Sequence, residues 1–330
     1  MRRLKGKVFT SPGGVATDSK MPAKSDYYAT STIITIMILS TIIQVDCRRM
    51  SKRNIFSTKE SVLDMAPTSF DDQYNGCSDA MEEEIPQLFQ LEYSTNKEFA
   101  DAWDTATFKW QQDMKKSLRL PKGFKDEYAI ALLAYTINGP LHKVFNEAVR
   151  ETGQSKEYYL RNFRFKVLHY YLTKALQVLD GVETPACHEV FRGIRGIKFK
   201  SESRKPVRFG QFTSSSKNDQ NALQFGEDTF FSIRTCYGVN IKNFSFFPGE
   251  EEVLIPPFEK FKVTNFTRGR ERNIIALQSM EKSSVYNCEL VKNRRCKSTW
   301  CPFNSACSLE SREVILAGGL LLILGQVFSP

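Results

Sequence analysis

The pattern of apolar residues changes near position 188, and this change constrains the fold more than any other feature of the 330-residue chain. Before it, apolar residues recur at the three- and four-residue steps of amphipathic helices, over 96–116, 126–137 and 165–179. After it come short aromatic and β-branched runs separated by turn residues: HEVFRG, VRFGQF, DTFFSIRTCYG, EVLIPP, KFKVTNF, NIIALQS and SVYNCEL. A helical half followed by a strand half predicts an α+β domain rather than an α/β domain.

Two of the predicted helices have a clear apolar side. In 96–116 this side comprises Phe99, Trp103, Phe108 and Met114. In 165–179 it comprises Phe165, Leu168, Leu172, Leu176 and Leu179. The second helix also carries His169 and the pair Tyr170-Tyr171, which we assign to packing because such residues are more often half-buried than functional.

Several signatures of nucleotide binding and catalysis are absent. The sequence has no GxGxxG after a strand, no GxxxxGK, no HExxH and no GxSxG. Cys296 and Cys301 have no histidine nearby, so we expect no metal site there.

Both ends of the chain resemble processing signals. The apolar run STIITIMILSTIIQV at 31–45 follows a basic start and predicts a signal peptide, 1–47, with an uncleaved signal anchor as the alternative. At the other end, small residues and a polar spacer precede the apolar run at 314–328. This predicts a GPI anchor signal, 304–330, attached at Asn304 or Ser305, with a C-terminal membrane helix as the alternative. The mature domain would then be 48–303, mostly helical over 48–185 and mostly β over 186–303.

The cysteines agree with a secreted domain. Of eight in the chain, Cys47 and Cys307 fall in the predicted signals, which leaves Cys77, Cys187, Cys236, Cys288, Cys296 and Cys301. An even number predicts three disulfides in an oxidising compartment, although the spacing leaves their pairing open. Asn243-Phe-Ser and Asn265-Phe-Thr are N-glycosylation sequons, which fit the same route.

The formal net charge of +9 is spread along the chain. Its local clusters are RGRER at 268–272 and KNRRCK at 292–297. We interpret them as solvated surface, with a patch for acidic partners or glycans as the alternative, and we expect no nucleic-acid partner.

Three strand-associated segments carry polar residues in a fixed order. The first is Phe191-Arg192-Gly193, where a glycine lets the backbone approach a phosphate bound by the arginine. The second is the serine run at 213–216, and the third is the glutamate triplet at 250–252. On an extended strand, Glu250 and Glu252 would share one face about 7 Å apart, and Glu251 would point away.

This order resembles the R-S-E signature of the arginine-specific ADP-ribosyltransferases. Arg192 matches the arginine strand, Ser214 the first serine of the serine-x-serine motif, and Glu250 and Glu252 the glutamate pair. The middle serine-motif residue is Ser215, where the family usually has Thr. Similarity to vertebrate ecto-enzymes extends over 57–301, and the GPI-linked members are most alike; it includes SFDDQYNGC, LLAYT, LHYYLTKAL, QFGEDTFF, FFPGEEEVLIPPFE, VYNCE and CKSTWC.

The resemblance implies an activity and a set of roles. ADP-ribose would pass from NAD, as co-substrate, to arginine side chains of extracellular proteins. Arg192, Gly193 and Ser214 would bind NAD; Glu252 would stabilise the oxocarbenium-like ribose, and Glu250 would act as base on the arginine. Phe246, Phe247 and Glu250 would belong to the loop that meets the target protein.

The resemblance also implies a fold, two disulfides and a location. The family fold is a helical half packed on two strand groups around an NAD cleft. The implied disulfides are Cys77–Cys288 and Cys187–Cys236, which leave Cys296–Cys301 by elimination. The protein would be a monomer on the extracellular face of the cell membrane, held by its GPI anchor. The alternatives are an NAD glycohydrolase and a non-catalytic surface recognition protein.

Overall fold

The structure, a computed structural model, describes residues 58–182, 187–296 and 301–303. The predicted signal peptide and the anchor residues Asn304 and Ser305 lie outside the described residues, so these assignments remain predictions. No described helix is long and apolar enough to cross a membrane.

The first half of the described chain forms a helical layer. Its helices are α1 Ser78–Thr95, α2 Lys97–Lys109, α3 Asp126–Thr136, α4 Leu141–Glu151, α5 Lys156–Asn162 and α6 Lys166–Asp180. Helix α3 is apolar all round, and every residue from Tyr128 to Tyr135 is buried, which makes α3 the centre of this layer. Two short helices come later, α7 Asp219–Gln224 and α8 Glu289–Arg295.

A glutamate of α1 caps the N-terminus of α6. The buried carboxylate of Glu92 accepts the backbone N–H groups of Lys166 at 2.7 Å and Val167 at 3.0 Å. These are two of the four N–H groups that the first turn of a helix leaves without an internal partner. The whole predicted stripe of α6 is buried, and so are His169, Tyr170 and Tyr171, which confirms that they pack in the core.

The strands form one eight-stranded and one two-stranded sheet. They are β1 Lys59–Val62, β2 His188–Ile194, β3 Ile197–Lys200, β4 Pro206–Arg208, β5 Thr213–Ser216, β6 Thr229–Thr235, β7 Val239–Asn240, β8 Glu252–Ile255, β9 Glu259–Thr267 and β10 Asn273–Lys282. The large sheet has the order β4-β9-β10-β6-β2-β5-β8-β7, and β1 pairs with β3. The large sheet is mixed, because β10–β6 is parallel and its other pairings are antiparallel, whereas the small sheet β1–β3 is parallel.

The large sheet is nearly divided in two. Between β2 and β5 a single residue pair, Phe191–Ser216, connects the groups β4-β9-β10-β6-β2 and β5-β8-β7. One apolar core lies between the sheet and the helices, and a second joins residues of six strands on the other side, including Val253 and Ile255. The α+β class and two strand groups expected from the sequence are therefore present.

Several local predictions are wrong. SVYNCEL is not a strand, because Cys288 adopts a left-handed conformation and α8 begins at Glu289. Phe108 is 69% exposed rather than on the apolar side of α2, because it lies five residues after Trp103 and so about 140° away around the helix, whereas Ala106 is buried. After Lys109 the helix continues as a π-turn over Trp110–Met114. Within VRFGQF, the strand ends at Arg208.

The described residues contain three disulfides. They pair Cys77 with Cys288, Cys187 with Cys236, and Cys296 with Cys301, as expected. The first joins the start of the helical layer to the end of the strand half.

Candidate active site

A cleft of about 840 Å³ opens where the two strand groups separate, within the roughly 300–1,000 Å³ usual for small-molecule sites. Strands β2 and β5 form its floor, helices α3 and α4 one wall, and the segment that precedes β8 its rim. It brings together the predicted residues Arg192, Gly193, Ser214, Glu250 and Glu252.

Arg192 lies on β2, near its end. Its guanidinium donates a hydrogen bond to the backbone oxygen of Ser214 and so spans the narrow junction between the strand groups. Burial lowers the pKa of Arg192, whereas Tyr135 and Glu252 act in the opposite direction. A guanidinium with one N–H group committed to the backbone still has donors for a phosphate.

Gly193 is required for a different reason from the predicted one. A Cβ at this position would lie 2.2 Å from the backbone oxygen of Gly226 and 2.3 Å from that of Ala222. Gly193 therefore lets α7 pack directly on β2. It also lines the cleft, so the cofactor-binding assignment remains a prediction.

The serine run is a strand rather than a loop, and its three serines have separate partners. Ser214 forms hydrogen bonds with the Glu252 carboxylate and, at 3.5 Å, the Tyr135 hydroxyl. Ser215 donates to the backbone oxygen of Val253 at 2.7 Å, and Ser216 to that of Glu250 at 2.6 Å. Ser214 is the serine whose hydroxyl reaches the catalytic carboxylate, whereas Ser216 holds the rim segment.

The glutamates reach the cleft by a route that the sequence did not predict. Glu250 ends a 3₁₀ turn, Pro248–Glu250, and Glu251 has a left-handed conformation with φ of 50°. Only Glu252 belongs to the strand. The extended alternation expected for the triplet is therefore wrong, but Glu250 and Glu252 do line the cleft, while Glu251 faces out and pairs with Lys242 at 3.3 Å.

The two cleft carboxylates have raised pKa values. Burial raises the pKa of Glu252 to about 7; the hydrogen bond from Ser214 and the charge of Arg192 oppose this shift, and the charge of Glu250 adds to it. Burial also raises the pKa of Glu250, which is more exposed. Such shifts are typical of acid–base sites.

The two phenylalanines of the predicted substrate loop differ. Phe246 is partly buried against the helical core, and its backbone N–H donates to the Thr136 hydroxyl at 3.2 Å. Phe247 is 41% exposed and lines the cleft. Of the two rings, Phe247 is the one presented at the rim.

Helices α3 and α4 contribute residues that the motif analysis missed. The buried Tyr135 hydroxyl donates to the backbone oxygen of Phe212 at 3.0 Å and accepts from the Asn146 amide at 3.0 Å. The Asn146 Oδ1 is buried without a partner among the described residues and lies in the wall of the cleft. Arg150, on the same wall, donates to Gln211. Of these, only Tyr135 fell in a recognised segment, LLAYT.

Other residues singled out in the sequence do not line the cleft. Both sequon asparagines, Asn243 and Asn265, are exposed.

Ion pairs neutralise part of the basic clusters. Arg268 pairs with Glu60, Arg272 with Glu227, and Arg294 and Arg295 with Glu84. No group of His, Cys, Asp or Glu in the described part of the chain is arranged to hold a metal ion.

Comparisons with known proteins identify the family of this chain. The family model of NAD:arginine ADP-ribosyltransferases matches residues 63–285. The erythroblast NAD(P)(+)–arginine ADP-ribosyltransferase of Gallus gallus is 49% identical over 82% of this chain and 88% of its own. The human GPI-linked NAD(P)(+)–arginine ADP-ribosyltransferase 1 is 46% identical over 89% of this chain and 93% of its own.

Solved structures agree as well. The crystal structure of the mono-ADP-ribosyltransferase ART2.2 superimposes with a TM-score of 0.61 at 42% identity, over 69% of this chain and 98% of its own. A mutant of that enzyme in complex with NAD superimposes with a TM-score of 0.60 at the same identity and coverage. By sequence and by fold, this chain belongs to the NAD:arginine ADP-ribosyltransferase family.

Proposed function

We propose that this protein is a mono-ADP-ribosyltransferase that moves ADP-ribose from NAD to arginine side chains of proteins and releases nicotinamide. The observation that carries the proposal is the buried Glu252 carboxylate, hydrogen-bonded by Ser214 and facing Arg192, with Glu250 at the rim of the same cleft. In this arrangement Glu252 can stabilise a developing cation, and Glu250 can accept a proton.

The lining of the cleft fits NAD as co-substrate. Arg192 and Arg150 supply guanidinium groups suited to a diphosphate. Asn146 adds a polar side chain to the same wall. Phe191 and Phe225 add aromatic surface for a ring.

Glu252 acts at bond cleavage. As the bond between nicotinamide and ribose C1 breaks, the ribose acquires oxocarbenium character, as in glycoside hydrolysis. An ionised carboxylate held by Ser214 in a buried site stabilises this charge more strongly than it would in water. Ser214 thus positions Glu252 and favours its ionised form.

Glu250 acts on the incoming arginine. A guanidinium is protonated at neutral pH and is a poor nucleophile until a base removes a proton. Glu250 is at the rim, where a protein side chain enters, and its raised pKa improves its basicity. Its proton is gained as the arginine nitrogen forms the bond to ribose C1.

The names of the relatives and the disulfides support a proposal for the cellular location of the enzyme. Relatives from human, rabbit and mouse are named GPI-linked, and the three disulfides suit an oxidising compartment. We therefore place the enzyme on the extracellular face of the cell membrane, as a GPI-anchored monomer whose partners are proteins with accessible arginines.

The test uses the secreted domain 48–303 with labelled NAD and agmatine, a small arginine analogue. The parent should transfer label to agmatine, and Glu252→Gln should lose the transfer. The matched control, Glu251→Gln, changes an adjacent glutamate that faces solvent and should keep it. Free ADP-ribose without an agmatine adduct would indicate a glycohydrolase, and no consumption of NAD would indicate a recognition protein.

A further inference from the structure

One predicted glycosylation site lies beside the active-site rim. The sequon Asn243-Phe-Ser falls within and just after a 3₁₀ turn, Lys242–Phe244, which immediately precedes the loop 246–251. Asn243 is exposed, and its side chain makes no hydrogen bond within the described part of the chain. Its amide is therefore available for modification.

The rest of this sequon is anchored in the fold. The Phe244 ring is buried, with its centroid 5.0 Å from that of Phe124. Ser245 is 3% exposed, and its hydroxyl accepts the backbone N–H of Phe247 at 3.0 Å. Because both neighbours are fixed, a glycan on Asn243 would stem from one defined point of the surface.

The two residues before Asn243 contact the segment that carries the cleft glutamates. The backbone N–H of Ile241 donates to the backbone oxygen of Glu252 at 3.0 Å, and the Lys242 ammonium lies 3.3 Å from the Glu251 carboxylate. Two residues of chain span at most about 7 Å, so Asn243 lies within about 10 Å of the Glu252 backbone.

We propose that an N-linked glycan on Asn243 screens the rim of the cleft and selects among arginine substrates by size. In this modification the Asn243 Nδ2 bonds to C1 of an oligosaccharide, and the lipid diphosphate that carried the sugar leaves as the amide loses a proton. Ser245 of the same sequon binds the backbone N–H of Phe247, so a bulky glycan on Asn243 stands close to this ring and obstructs the flat surface of a folded target. Agmatine and arginines on flexible segments still reach Glu250.

The second sequon provides a matched control. Asn265 is also exposed and lies on β9, opposite Ala276. In the large sheet, β10, β6, β2 and β5 separate β9 from β8, so the two strands are five spacings apart, roughly 24 Å at the usual strand spacing. A glycan on Asn265 is therefore too remote to screen the rim.

The experiment compares Asn243→Gln and Asn265→Gln, each secreted from a glycosylating cell. The substrates are agmatine, a short arginine peptide, and the same peptide displayed in a surface loop of ubiquitin whose own arginines are replaced by lysine. Each variant should lose the mass of one glycan. Asn243→Gln should raise kcat/KM for the displayed peptide about threefold or more and leave that for agmatine unchanged. Asn265→Gln should change neither.

A second measurement avoids any effect of the Asn243 substitution on folding. Native Asn265→Gln protein is treated with peptide N-glycosidase, which should reproduce the gain on displayed peptide. Absence of a glycan on Asn243, or equal rates on displayed peptide with and without it, would overturn the proposal. It rests on the proposed transferase activity, but its failure is distinct, because agmatine transfer would persist while the size selection would not appear.

Discussion

Glu252 illustrates how one residue serves catalysis at a cost to stability. The residue is only 6% exposed, and burial favours the neutral form of its carboxyl group, whereas stabilisation of an oxocarbenium ion needs the ionised form. Ser214 and Arg192 offset only part of this penalty, so the pKa remains raised, near 7. Both the rate and the unfolding free energy should therefore depend on pH through this residue.

The rate of NAD cleavage should rise with pH. Because the ionised Glu252 is the active form, kcat/KM should increase through an apparent pKa of about 7 and level off above it. Glu250 also titrates, so the measurement is best made as NAD hydrolysis by Glu250→Gln, which should lose arginine transfer but keep Glu252. Because the charge of Glu250 contributes to the raised pKa of Glu252, the midpoint in this variant should lie below that of the parent but remain above the ordinary value of a glutamate. A profile that is flat from about pH 5 to pH 9 would contradict this role of Glu252.

Glu252→Gln should be more stable than the parent at alkaline pH. The pKa of Glu252 is raised from 4.5 to about 7 in the fold, so between these values the unfolded chain releases a proton that the folded protein keeps. The parent's unfolding free energy therefore falls as pH rises through this window, by up to about 3 kcal/mol, and Gln removes this loss. Urea unfolding at about pH 5 and pH 8 measures it. A stability difference that does not widen at the higher pH would contradict the assignment.

At the scale of elements, α3 positions β5. The Tyr135 hydroxyl reaches the backbone of Phe212, just before β5, and also meets Ser214 and Asn146. Helix α3 is buried all round, so it is a rigid support for this hydroxyl. The position of Ser214, and through it that of Glu252, therefore depends on a helix that lies outside the three polar segments of the sequence motif.

Tyr135→Phe should reduce kcat/KM about tenfold, equivalent to about 1.4 kcal/mol of transition-state stabilisation. Ser214 lowers the pKa of Glu252, so a misplaced Ser214 should also move the pH–rate profile to higher pH. Tyr159→Phe is the matched control, because the buried Tyr159 hydroxyl has no partner among the described residues. It should leave the rate and the profile unchanged. An unshifted profile in Tyr135→Phe would show that Tyr135 does not position Ser214.

The glutamate triplet shows where local sequence reasoning fails. Strand periodicity assigns Glu250 and Glu252 to one face, and both do reach the cleft. They do so because Glu251 adopts a left-handed conformation after a 3₁₀ turn. The side-chain pattern of the sequence does not predict this backbone conformation. A resemblance to known motifs identified the right residues, but the backbone that presents them depends on partners distant in sequence, such as Ser216 on β5.

At the scale of the molecule, a set of long-range contacts joins the two ends of the domain. Buried Asp71 pairs with Arg208 and accepts the backbone N–H groups of Val285 and Tyr286. Its neighbour Asp72, also buried, accepts those of Cys288 and Glu289 at 2.8 and 3.0 Å. The segment that leads into the helical layer is thus fastened, independently of the sheet, to the segment that joins β10 to α8.

These contacts also mark the limit of what the sequence predicts. Helices α3 and α6 were predicted to within one or two residues because their own periodicity and burial define them. The segment SVYNCEL was taken for a strand because its aromatic and β-branched residues fit one. In the structure its N–H groups bind carboxylates more than 200 residues away, which local propensity does not reveal.

Removing Cys77–Cys288 should destabilise the domain more than removing Cys296–Cys301. A disulfide restricts the unfolded chain according to the loop it closes, and the sequence separations are 211 and 5. Chain entropy then predicts losses of about 5 and about 2 kcal/mol in unfolding free energy. The double variants Cys77→Ser/Cys288→Ser and Cys296→Ser/Cys301→Ser are compared by denaturant unfolding. Because Asp71 and Asp72 still fasten the same segments, the first variant should fold and retain agmatine transfer, and equal losses in the two variants would refute the entropic argument.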